Sequence, residues 1–141
     1  MVRALLAPSE GQPFEIERAD GQSPVILVCE HASRAIPRAL STLGAKPETL
    51  ASHAAWDIGA LATARRLSAL LDAPLIHQRF SRLVYDCNRP PEAMDAIPEM
   101  SEVHAIPGNR NLSDDARRER VAAIYEPFRD ALAAGIVGKV A

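Results

Sequence analysis

Cysteine is nearly absent: Cys29 and Cys87 are the only two in 141 residues. Two cysteines do not make a disulfide framework. Each lies in or just after an apolar segment, so both are expected to be reduced and buried, which points to the cytoplasm. An excess of charge of one sign is also missing. Sixteen basic residues face 18 acidic ones, for a net charge of −2. That balance argues against a general nucleic-acid or membrane-surface binder. No apolar run is long enough to span a bilayer. The stretch from Met1 to Ala7 is broken too soon by Pro8 to read as a signal peptide. There is no internal repeat and no low-complexity segment.

What remains is a chain of ordinary domain size with 48% hydrophobic residues, enough for a real core. Residues 1–141 are read as a single domain. The most informative segment runs from Val25 to Ser33. Val25–Cys29 is a continuous apolar run led by Pro24, which reads as a strand buried on both faces, as in a parallel sheet. Glu30 and His31 follow at its carboxyl end, where open α/β sheets bind ligands.

Other elements are expected around it. Phe14 and Ile16 alternate with acids as in an edge strand, and Asp20-Gly21 signals a turn. Pro37–Leu43 reads as a short helix closed by Gly44, and Pro47–Ser52 as a helical turn. From Ile58 to Leu71, apolar residues recur at three- and four-residue steps, which predicts an amphipathic helix. Asp57 stands where an N-cap acid is favourable. Leu75–Phe80 and Leu83–Cys87 read as two further strands. Strand, crossover helix and strand together predict an α/β fold with a mixed, partly parallel sheet. Asn88–Leu112 reads as a long Pro- and Gly-containing loop, and loops of that length are usually functional. Ser113 caps a second helix, and residues 133–141 are weakly patterned.

Several residues could carry chemistry. Glu30 and His31 can address one site only if their strand has ended, because neighbours along a strand point to opposite faces. His31 then reads as a metal ligand with an acidic neighbour, or as a hydrogen-bonded histidine at a strand end. His53 and Asp57 are four residues apart and would share a helix face, a spacing that suits two ligands of one metal. The alternative is that Asp57 simply caps its helix while Trp56 packs. Arg79, Arg82 and Arg89 bracket the 83–87 segment, and Arg82 and Arg89 could clamp a carboxylate through paired hydrogen bonds. Asp86 lies within an apolar run and needs a partner if buried, with Arg82 and Arg89 nearby in sequence. His77 reads as structural and His104 as exposed.

The segments CEHAS at 29–33, SHAAWDIGA at 52–60, SRLVYDCNRPP at 81–91, HAIPGNRNLS at 104–113 and YEPF at 125–128, taken in this order, resemble the N-formylglutamate amidohydrolase family. The resemblance implies a three-layer α/β/α fold like that of the zinc exopeptidases (phosphorylase/hydrolase-like), with its C-terminal part missing. It implies metal-dependent hydrolysis of the formyl amide of N-formyl-L-glutamate, or a related N-acyl amino acid, to formate and glutamate. His31 and Asp57 would be metal ligands, most simply for zinc. Glu30 would act as a base or hold the geometry. Arg82, Asn88 and Arg89 would orient the carboxylates of a small anionic substrate. Two departures accompany the match. Arg129 stands where the family usually has histidine. The chain also stops at Ala141, before a further strand with a His-Ser pair whose histidine is expected to complete the metal site. The alternative expectation is therefore a truncated, non-catalytic member that binds small anions through its arginines. A sheet left unfinished in this way would also present an edge for self-association.

Overall fold

A computed structural model describes residues 4–140. Three strands form a sheet: β1 (Phe14–Glu17), β2 (Leu27–Cys29) and β3 (Leu75–Gln78), in the order β1-β3-β2. β1 pairs antiparallel to β3, with Glu15 opposite His77 and Ile16 opposite Ile76. β2 pairs parallel to β3, with Leu27 opposite Leu75 and Cys29 opposite His77. The sheet is therefore mixed, and the fold is α/β. β3 is central and buried along its whole length.

Side chains alternate across a strand, so Leu75 and His77 share a face with Leu27 and Cys29, and Ile76 points the other way. The helix α2 (Ala60–Leu71) covers the first face, where Leu61 and Ala64 pack on Cys29, Ala32 and Leu75. On the second face lies α4 (Glu126–Val140). Its Gly135 comes so close that an added Cβ would sit 3.3 Å from the Ile76 side chain.

The structure departs from the sequence reading at several points. β2 is a short edge strand rather than one buried on both faces: Leu27 and Val28 are only half-buried, and Val25 is 48% exposed. The segment 37–43 holds a single 3-10 turn at Arg38–Leu40, whereas α1 (Pro47–Ala51) falls where a helical turn is expected. α2 begins later than its apolar pattern suggests. Gly59, with φ of 85°, takes the N-cap position, so Asp57 lies ahead of the helix and does not cap it. Leu67, Leu70 and Leu71 stay exposed.

Residues 83–87 are buried but form no strand. Backbone groups inside a protein need partners, and here side chains from distant positions supply them. Asn109 Nδ2 donates to the Leu83 carbonyl, an Arg120 guanidinium nitrogen to that of Val84, and Gln78 Nε2 to that of Tyr85. The same Arg120 nitrogen donates to Asn109 Oδ1 at 2.6 Å, and Asn109 Nδ2 also reaches the Pro98 carbonyl at 2.7 Å. The segment 88–112 is thereby pinned to the core. It also contains a small hairpin, β4 (Met100–Ser101) and β5 (His104–Ala105), rather than being structureless.

The C-terminal third is helical. α3 (Asp114–Arg120) starts at Ser113, whose hydroxyl accepts the Ala116 N–H as its sequence position predicts. One wide turn at Val121–Tyr125 follows, in which the Glu126 N–H reaches back five residues to the Val121 carbonyl. Pro127 cannot donate to the preceding turn and disturbs its regular hydrogen bonding, which accounts for the widening. α4 then runs on to Val140, where the sequence pattern is too weak to show a helix.

Candidate active site

β2 ends at Cys29, and the chain turns at Glu30 and His31. That turn frees the His31 ring from the strict alternation of a strand. The Asp57 N–H donates to the His31 carbonyl at 3.0 Å and ties the two segments together. The side chains then converge. His31 Nδ1 lies 3.1 Å from Asp57 Oδ2, and His31 Nε2 lies 2.7 Å from Asp86 Oδ1. Arg82 spans the pair, 3.4 Å from a carboxylate oxygen of each acid. Asp86 is buried, and the Asn88 backbone N–H also donates to its Oδ1 at 3.0 Å.

His31, Asp57 and Arg82 are thus brought into one cluster, and Asp86 completes it. Asn88 contributes its backbone N–H while its side chain is exposed. Arg89 turns away to pair with Asp95 at 2.9 Å. Glu30 is half-buried and makes no hydrogen bond or ion pair among the described residues. His53 does not share a helix face with Asp57; it pairs with Glu102 at 2.6 Å. His104 is half-buried, with Nδ1 2.9 Å from the Thr49 hydroxyl. Asp86 carried a signal in the sequence, a carboxylate inside an apolar run. Nothing in the sequence linked it to its main partner His31, 55 positions away.

The cluster opens on a cavity of about 320 Å³. Asp57, Asp86, Asp95 and Glu102 line it with a single guanidinium, that of Arg82, and with His53. This wall is acid-rich, and its field favours a cation. His31 and Glu30 are not part of the wall.

The charges act on each other. The hydrogen bond to Asp86 raises the pKa of His31 against the opposing effect of burial, and the hydrogen bond to Asp57 adds to the rise. Burial alone would push the Asp86 carboxyl up, but His31, the Asn88 N–H and Arg82 together hold it below the usual carboxylate value. Burial raises both thiols, Cys29 and Cys87, aided by nearby carboxylates. Neither is suited to act as a thiolate nucleophile at neutral pH.

The signs fix a pH dependence for the metal-free protein. Stabilisation from His31 is complete below its ordinary pKa of about 6.5 and is lost as pH rises through the raised value. Stabilisation from Asp86 is complete above the ordinary carboxylate pKa of about 3.9 and is lost as pH falls through the lowered value. The melting temperature of the chelator-treated protein is expected to fall as pH rises above about 6.5, and His31→Asn should flatten that slope. A slope unchanged in the variant would show that the His31 interactions do not carry it.

With this geometry in place, the sequence can be set against known proteins. The family model described as N-formylglutamate amidohydrolase matches residues 23–140. The chain belongs to the N-formylglutamate amidohydrolase family. It is also similar to a crystal structure of a gene product from Agrobacterium tumefaciens, at 48% identity and a TM-score of 0.94. That match covers 96% of this chain and 54% of the other, so the chain spans about half the length of that relative. No curated protein matches the sequence. Hydrolase chemistry on an amide is therefore the family's activity, and the His31 cluster lies within the matched residues.

The donor set of the cluster suits a divalent metal in part. A ligating histidine usually donates its other ring N–H to a carboxylate, and Asp86 on Nε2 occupies that position. Nδ1 then faces Asp57, and an imidazole lone pair beside a carboxylate oxygen calls for a proton or a cation between them. The two acids sit on opposite ring nitrogens, so one ion can be shared by His31 with only one of them. Among the described residues, one group of three His, Cys, Asp or Glu donors has all its ligand atoms within 4.8 Å of one another: Glu15, Glu17 and His77, on the sheet face that carries α2. No helix among the described residues is long and apolar enough to cross a membrane.

Proposed function

We propose that this chain carries the metal-binding part of a hydrolase that cleaves the formyl amide of N-formyl-L-glutamate, or of a related N-acyl amino acid, to formate and the free amino acid. The convergence of His31, Asp57, Arg82 and Asp86 within the matched family region carries the reading. His31 Nδ1 and Asp57 would hold the ion, with zinc the best match to an imidazole–carboxylate pair. When bound, such an ion supplies Lewis acidity and a water acidic enough to attack a poor electrophile at neutral pH.

The residues of the chain supply the rest. Asp86 keeps the His31 ring oriented with its proton on Nε2. Glu30, next in sequence to His31 and without a side-chain hydrogen bond or ion pair among the described residues, would be the available base, although it stands outside the cavity wall. Arg82 would orient a substrate carboxylate at the cavity wall once an ion takes over its partner Asp57. Arg89 and Asn88 lie outside that wall, and Arg89 would join only by leaving Asp95. The same reading extends the fold to the three-layer form of the zinc exopeptidases, supported by α2 and α4 on opposite faces of the sheet.

The alternative, an arginine cluster that binds anions without turnover, has less support. Arg82 and Arg89 are both already paired with carboxylates. The cavity also presents four acids to one arginine. Without a cation, this wall repels a dianion.

Formate release from N-formyl-L-glutamate decides between them. Chelator-stripped protein should release none, and reloading with zinc should restore turnover. No formate with zinc, cobalt or manganese, together with calorimetric binding of glutamate by metal-free protein, would overturn the proposal in favour of the anion binder.

A further inference from the structure

We propose that Glu15, Glu17 and His77 form a second site for a divalent cation of the zinc class, sharing no residue with the His31 cluster. β1 runs antiparallel to β3 with Glu15 directly opposite His77. Glu17, two residues further along β1, lies on the same face. His77 Nε2 stands 3.2 Å from Glu17 Oε2 and 3.9 Å from Glu15 Oε2. Donor atoms around a tetrahedral zinc with bonds of about 2.1 Å are roughly 3.4 Å apart. The two His77–carboxylate separations, 3.2 and 3.9 Å, lie on either side of that spacing, and all three ligand atoms fall within 4.8 Å of one another.

Two features beyond the acids point to a ligand. The His77 side chain is only 5% exposed, and among the described residues its Nε2 makes no hydrogen bond, only the close ion-pair contacts above. Buried polar atoms rarely go without a partner. This one is aimed between two carboxylates. The local charge is also incompletely matched. Arg65 on α2 places its Nε 3.0 Å from both oxygens of Glu17 and acts on Glu15 only through its field, and among the described residues no arginine or lysine makes an ion pair with Glu15. A cation at Nε2 would partner the imidazole and Glu15 together and share Glu17 with Arg65. One nitrogen and two carboxylate oxygens select zinc-like ions over calcium or magnesium, which prefer oxygen alone. Because Glu15 and Glu17 come from β1 and His77 from β3, an ion here would fasten the edge strand to the sheet.

Zinc chloride titrated into chelator-stripped protein tests this, with the imidazole ¹⁵N resonances of His77 and His31 followed separately by NMR. His77 Nε2 should shift on zinc addition. Glu15→Gln should weaken that response at least tenfold and leave zinc uptake at His31, and formate release, unchanged. The Glu15 side chain is 54% exposed and makes no hydrogen bond among the described residues, so the variant should fold. A His77 resonance that stays in place at saturating zinc, or a Glu15→Gln variant that responds like the parent, overturns the proposal. The His31 resonance reports on the first site independently.

Discussion

Asparagine at position 86 is expected to lower zinc affinity and formate release by about 10- to 100-fold, the usual effect of removing the carboxylate behind a ligating histidine. Asp86 is buried and takes three donors: His31 Nε2, an Arg82 nitrogen and the Asn88 N–H. Its charge keeps the His31 proton on Nε2 and leaves Nδ1 to face Asp57. Asparagine matches the shape but not the charge, and its amide places two donors among donors. The ring is then free to take the other tautomer. Zinc affinity measured on the folded variant separates this from a stability effect. A melting temperature that drops while zinc affinity stays at the parental value would leave Asp86 a purely structural role and remove it from the mechanism.

Arg120→Ala is expected to cost roughly 3 kcal/mol of stability, since it strands two buried acceptors and opens a cavity. A loss of that size lowers the melting temperature by roughly 10 °C in a chain of this length. Burial drives the Arg120 pKa down to about 10, yet the group stays charged at neutral pH. Its hydrogen bonds run to neutral oxygens, those of Val84, Asn109 and, at 3.5 Å, Gly108. It therefore acts as a rivet for the buried segment 83–87 that carries Asp86. Arg118, two residues away, pairs with Asp115 at the surface. Arg118→Ala should change stability by less than about 1 kcal/mol. Chemical denaturation of both variants checks the contrast; equal effects would mean that burial of Arg120 is not the source.

The sequence placed Glu30 and His31 correctly at the end of a strand, because a polar pair closing an apolar run is a local signal. The parallel pairing of β2 with β3 was legible for the same reason: a periodic helix stands between two apolar runs. The segment 83–87 was not legible. An apolar run of that length reads as a strand, and nothing local shows that its carbonyls are met by Gln78, Asn109 and Arg120 instead of a neighbouring strand. Asp86 announced a need for a partner, and Arg82 answered from four residues away. His31 answered from across the fold, and Arg89, equally near in sequence, went to Asp95. The Glu15, Glu17 and His77 group depends on the register of β1 against β3, which no pattern within either segment encodes. The second helix was legible through Phe128, but the part of α4 from residue 133 on was missed because glycines and short apolar residues dilute its periodicity, while contact with the sheet and continuity with α3 sustain it.

The wide turn at Val121–Tyr125 sets the angular phase of everything after it. Each residue advances a helix by about 100°, so removing one position there would swing Gly135 off Ile76 and bring a bulkier neighbour against the sheet. Single-residue insertions or deletions between Ser113 and Gly135 should therefore be poorly tolerated, even though much of that surface faces solvent. Length is thus a constrained property of this stretch, beside the identities of Arg120 and Gly135.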